Sequence, residues 1–172
     1  MKDRCLRILL ASTALLAVGC GYALVGRGSN IPDDIRAVYL APLSNETERG
    51  EIEQFMTQSL ADELVTRRRF VLVRSLEEAD AVLRGSVTQF RVTPVSFDRD
   101  GRADEYEITI VADMEFQRTS SDEVLWAAER YRFSANYEIE DSTDFVDEEN
   151  TAIEEAAILF AETMVSDLLE GF

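Results

Sequence analysis

The chain has 172 residues, with 34 acidic against 17 basic side chains, a formal net charge of −17 and no histidine. That length suits one domain around a single hydrophobic core. The acidity argues against non-specific nucleic-acid binding and against general adhesion to anionic membrane surfaces. The missing histidine removes Ser-His-Asp and Cys-His catalysis.

The N-terminus has three parts. Lys2, Arg4 and Arg7, diluted by Asp3, make a positive start; "ILLASTALLAV" (8–18) is apolar; Gly19 then precedes Cys20. This is the layout of a secretory leader, too short to span a bilayer as a helix. The stretch "LAVGC" resembles the bacterial lipobox, although Ala17 stands where leucine is favoured. That resemblance implies removal of residues 1–19 and acylation of the Cys20 thiol. The alternative is ordinary secretion with a stray cysteine. A disulfide is the weakest reading, because Cys5 leaves with the leader. Losing Lys2, Arg4, Arg7 and Asp3 takes the balance from 17 and 34 to 14 and 33, a mature net charge of −19. The lipid would then supply the membrane attachment, each buried methylene contributing roughly 0.8 kcal/mol and two or more chains holding stably.

Residues 21–34 read as an extended tether, so the chain divides into a leader (1–19), a lipidated tether (20–34) and one domain (35–172). "IRAVYLAPL" (35–43) is a strand closed by Pro42. Ile52, Phe55, Met56, Leu60 and Leu64 fall at helical spacing and predict a helix over 50–68. Acids crowd its start and Arg67, Arg68 and Arg69 close it, as the helix dipole favours. The arginine run is read as a solvated last turn rather than an anion site. "FVLV" (70–73) is a short buried strand, at an edge or in the centre of the sheet. "SLEEAD" is a turn or a single helical turn. "AVLRGSVTQFRV" (81–92) is a longer strand whose apolar phase shifts between Val87 and Phe90, which predicts a bulge or strong twist. Residues 93–104 read as a loop or hairpin tip around Asp100-Gly101.

Residues 105–116 alternate cleanly. Tyr106, Ile108, Ile110, Ala112, Met114 and Phe116 share one face, and mostly polar residues the other. Residues 124–137 return as its hairpin partner. A turn centred between Ser120 and Ser121 sets Leu125 opposite Phe116, Tyr131 opposite Ile110 and Phe133 opposite Ile108, and leaves Trp126 on the wet face beside Glu115. Ile153, Ala156, Ala157, Phe160, Met164 and Leu168 mark a long amphipathic helix over roughly 143–169. The expected fold is α+β: a single domain, two helices on one face of a mixed four- to five-stranded sheet, in the order β-α-β-β-β-β-α.

Chemistry is sparse. No catalytic residue, metal site or cofactor is expected beyond the covalent lipid at Cys20; carboxylate pairs are too common here for any to stand out. "DRDGRADE" (98–105) departs from a calcium loop, with Gly101 fourth rather than sixth and arginines in the gaps, and reads as a tight turn. Arg99 and Arg102 nonetheless make a local basic spot at that tip, and Trp126 is a candidate partner contact, with burial under a loop or the tether as its alternative.

Four stretches together resemble the LptE family of lipopolysaccharide-assembly lipoproteins. They are "GCGYALVGRGSNIPDDI"; "AVYLAPLSNET" with the following helix; "ADAVLRGSVTQFRV" with "DGRADEYEITI"; and the long helix after a tyrosine-rich strand. The resemblance implies a non-enzymatic outer-membrane lipoprotein on the periplasmic side. It would plug and support assembly of an LptD-like β-barrel and assist lipopolysaccharide insertion into the outer leaflet. Gly21 after the cysteine, rather than aspartate, agrees with outer-membrane sorting. Arg99 and Arg102 are the candidates for a lipopolysaccharide contact. A periplasmic adaptor of another envelope or secretion complex is the alternative.

Overall fold

The computed structural model describes residues 31–138 and 145–170. The proposed leader, Cys20 and most of the tether lie outside the described residues, as does the expected start of the last helix at 143. The elements are β1 (Ala37–Leu40), β2 (Ser44–Asn45), α1 (Ile52–Thr66), β3 (Val71–Leu72), a 3₁₀ turn (Leu76–Glu78), β4 (Ala81–Phe97), β5 (Ala103–Arg118), β6 (Val124–Glu138) and α2 (Phe145–Glu170). The α+β architecture is the expected one, with the two-residue β2 added.

One mixed sheet runs β3-β1-β4-β5-β6, with β2 also against β4. β1 lies parallel to β3 and β4, and β2 parallel to β4; β4–β5 and β5–β6 are antiparallel hairpins. The two parallel strands β1 and β3 are joined through α1, because a parallel connection needs a crossover. "FVLV" therefore sits at the edge. The helices run in the same direction: Arg49, before α1, donates to the Asn150 side chain at 2.8 Å, and Arg67, after α1, reaches the Glu162 carbonyl.

Both helices bury an apolar stripe on one sheet face. Met56, Leu60, Leu64, Phe160, Met164 and Leu168 from the helices, and Leu83, Ile110 and Phe116 from the sheet, are fully buried. Phe160 meets Tyr131 and Phe133 edge-on at 5.6 and 6.1 Å, and Phe70 lies 5.7 Å from Phe116. Burying such side chains contributes about 1.5–3 kcal/mol each before the entropic cost of ordering them. The opposite face is wet with three exceptions. Val82, opposite Gln117, is buried there, as are Thr109 and Val111, flanked on neighbouring strands by Arg91 and Ser134, and by Gln89 and Arg132; long polar side chains cover apolar surface with their stems.

At one end of the sheet a polar junction ties three elements. The Asp80 carboxylate accepts the Arg36 and Ala37 N–H groups at 2.9 and 2.8 Å, and its carbonyl accepts the Thr119 N–H at 2.9 Å. Arg118 pairs with Asp34 and Glu123. Arg69 donates to the Pro32 and Ile35 carbonyls, so this arginine of the "RRR" run fastens the incoming chain instead of sitting free. Ile31 is already buried in the core.

The expected break in β4 is present, as a register shift between Val87 and Gln89. The β5–β6 register is a correction. Phe116 faces Trp126, Ala112 faces Tyr131 and Ile110 faces Phe133. The expected pairing holds at Gln117–Val124, is one residue off from Phe116 to Met114 and two off from Ala112 onward. Two irregularities cause it: Leu125 is extra between the Gln117–Val124 and Phe116–Trp126 pairs, and a bulge follows at Glu129-Arg130, where Arg130 adopts φ 53° and its N–H donates to the Asp113 carboxylate at 2.6 Å. One extra residue inverts the side-chain phase on either side of it.

Candidate functional site

The register shift between Gln117 and Phe116, which makes Leu125 the extra residue, moves Trp126. Opposite Phe116, it lies half-buried on the helix-covered face and packs against the core instead of standing on the wet face. Leu125, expected opposite Phe116, gives up that position. Val124, next along, is 51% exposed near the β5–β6 turn.

The β4–β5 hairpin carries Arg99 and Arg102 where the sequence suggested, at a tip shorter than expected, since the strands continue to Phe97 and resume at Ala103. The Asp98 carboxylate accepts the Asp100 and Arg102 N–H groups at 2.8 and 2.9 Å. Its own N–H donates to the Arg102 carbonyl, and Gly101 takes φ 80°, which glycine adopts without a side-chain clash. The Arg102 N–H, ahead of the other contacts, holds the Asp98 carboxyl below its usual range. Both arginines are exposed, and neither forms an ion pair among the described residues. Beside them stand Val95 and Phe97, 48% and 60% exposed. The tip is thus a pre-shaped turn presenting two guanidinium groups next to apolar surface. Reading 93–104 as loop hid Val95 and Phe97; their apolar spacing within "VSF" was the available signal.

On the wet face two shallow troughs, about 450 and 410 Å³, meet at Arg84, which pairs with Glu115 at 2.7 Å. Leu76, Val82 and Gln117 line one; Ser44, Ser86 and Ala127 line the other. Among the described residues no three His, Cys, Asp or Glu side chains form a metal-binding group, and no helix is long and apolar enough to cross a membrane. Charge divides by layer. α1 holds three acidic residues and α2 eight, with no arginine or lysine in either, while Arg84, Arg91 and Arg132 lie on the wet face.

Several solved structures share this fold. The PelC dodecamer from Paraburkholderia phytofirmans matches with a TM-score of 0.54 and 17% identity, over 83% of this chain and 92% of that one. An uncharacterized lipoprotein B from Nitrosomonas europaea matches with a TM-score of 0.54 and 15% identity, over 87% and 91%. The rare lipoprotein B from Shewanella oneidensis matches with a TM-score of 0.50 and 17% identity, over 77% and 93%. No curated protein matches significantly. At these identities the structures speak for the fold alone. The family comparison goes further: the pattern described as "LptE: Lipopolysaccharide-assembly" matches residues 35–168, nearly the whole domain, and the chain belongs to that family.

Proposed function

We propose that this protein is a lipoprotein acylated at Cys20, held at the periplasmic face of the outer membrane, where it plugs and helps assemble an LptD-type β-barrel that places lipopolysaccharide in the outer leaflet. The family match over residues 35–168 carries this reading. The lipobox-like "LAVGC" and Gly21 support the anchor and its location. The role is non-enzymatic: a body tied together by its core and the Asp80–Arg118 junction acts as a wedge positioned by its tether. Its overall acidity withholds long-range attraction from anionic lipopolysaccharide. Screening confines charge effects to about 8 Å, however, so Arg99 and Arg102 can bind phosphate locally at the tip.

Affinity purification of the full chain from outer membranes in mild detergent tests the partnership. Recovery of a large β-barrel in equal amount is expected, and its absence overturns the reading. For the ligand, Arg99→Glu with Arg102→Glu should reduce lipopolysaccharide binding; unchanged binding removes the tip as the contact.

A further inference from the structure

The corner of the body beside the incoming chain differs in charge from the rest. Residues 64–76, "LVTRRRFVLVRSL", hold four arginines and no acid, in a chain with 34 acidic side chains. They form the end of α1, the edge strand β3 and the entry to the 3₁₀ turn. Val65, Val71 and Leu76 are exposed there, Val71 at 66%. Arg68 and Arg74 are exposed as well, each three residues from Val71 and so within about 10 Å along the chain. Arg36 joins them on the neighbouring strand, its carbonyl accepting the Val71 N–H at 2.8 Å. Among the described residues none of these three guanidinium groups has a hydrogen-bond or ion-pair partner. Arg68 takes φ 55°, a left-handed position that glycine occupies without steric cost, so a guanidinium is kept there against the preference of the backbone.

The chain enters the body at this corner. Arg69, inside the same run, donates to the Pro32 and Ile35 carbonyls at 3.3 Å each, and Ile31 is buried in the core. From Cys20 to Ile31 is 31 − 20 = 11 residues, which span at most about 40 Å when fully extended. β4, 17 residues long, carries the hairpin tip a further 55 Å or about that from its own start. A lipid at Cys20 therefore restrains the arginine corner close to a bilayer surface, and not the distant tip. The carboxylates nearest the corner are largely engaged: Glu63 pairs with Arg67, Asp34 with Arg118, and Asp80 accepts two N–H groups. Asp33 faces Arg69 at 3.5 Å, and Glu77 and Glu78, past Leu76, mark the border of the patch.

We infer that this corner is a second membrane contact, which sets Arg36, Arg68 and Arg74, with Val71 among them, on anionic phospholipid headgroups beside the lipid anchor. The inference rests on the acylated Cys20 of the proposed function, and it suits a single copy at the periplasmic mouth of the barrel. The net charge opposes adhesion of the body as a whole. Screening limits that repulsion to about 8 Å, however, and arginines held at an anionic surface are attracted over the same short range. A lipid chain and a basic patch together hold a protein to a membrane more stably than either alone.

The test uses the full chain, expressed with its own leader and reconstituted into phosphatidylcholine vesicles with or without about one-third anionic phosphatidylglycerol. A fluorophore on Val71→Cys reads contact through a quencher carried on lipid headgroups, and the same label on Ile158→Cys, exposed in the acidic helix layer, is the control. Quenching at 71 is expected to be several-fold stronger with phosphatidylglycerol than without it, and to exceed that at 158. High salt should return it to the neutral-vesicle level, and so should Arg68→Glu with Arg74→Glu, whereas Arg68→Lys with Arg74→Lys should keep most of it. Flotation with the vesicles separates the two readings. A chain that stays in solution overturns the anchor and the inference with it. A chain that floats overturns the membrane contact alone if quenching is equal at 71 and 158, or is indifferent to phosphatidylglycerol, to salt or to the two charge reversals.

Discussion

The two ends of the long β4–β5 hairpin are built on opposite terms. At the proximal end, Ala81 to Val87 and Ala112 to Arg118 sit between β1 and β2 on one side and β6 on the other, under both helices, and the Asp80 and Arg118 contacts fasten the ends of the strands. At the distal end the hairpin continues past β2, and its tip exposes Val95, Phe97, Arg99 and Arg102. The same pair of strands thus holds the fold together at one end and leaves apolar and cationic groups in water at the other. Stability and recognition are separated along one hairpin, so substitutions at its two ends should fail in different ways.

The largest expected effect is at the proximal core. Phe160→Ala empties the space against Tyr131 and Phe133 and should cost about 3–5 kcal/mol in denaturant unfolding. A loss under 1 kcal/mol would mean that the helix layer is not a rigid part of the body. Asp80→Ala should cost about 1 kcal/mol, because two N–H groups lose a charged acceptor where water can partly replace it. The Ala37 and then the Arg36 N–H hold the Asp80 carboxyl below its usual range. Its contribution is therefore present above the unfolded aspartate value of about 3.9 and is lost as pH falls further. The wild type and Asp80→Ala should accordingly converge in stability toward acid, and a constant gap down to strongly acid pH would refute this role. The smallest stability effect belongs to the distal tip. Phe97→Ser with Arg99→Glu should change unfolding by no more than about 0.5 kcal/mol, while weakening barrel recovery or lipopolysaccharide binding. Normal recovery and binding would show that the tip serves neither contact.

Much of the body was legible because its signals are local. Period-two alternation marked β5, helical spacing marked α1 and α2, and the phase slip after Val87 located the β4 bulge. The second bulge was not legible. "AAERYRF" alternates acceptably in either phase, since Ala127 and Ala128 suit both faces, and nothing in it announces φ 53° at Arg130. The pairing beyond Ala112 followed that one dihedral angle, and the position of Trp126 followed the equally unannounced extra residue at Leu125. The tip was half legible: Asp100-Gly101 and the arginines stood out, whereas Val95 and Phe97 were lost among turn-forming neighbours.

By itself the sequence determined the order of elements, the two amphipathic helices, the acidity and the lipobox-like cysteine, all properties of residues near one another in the chain. Only the tertiary structure decided that β3 and β6 form the sheet's edges, that Arg69 fastens the N-terminal segment, and that Trp126 turns toward the core. These depend on which distant backbone groups pair, and a single bulged residue reverses every side chain beyond it.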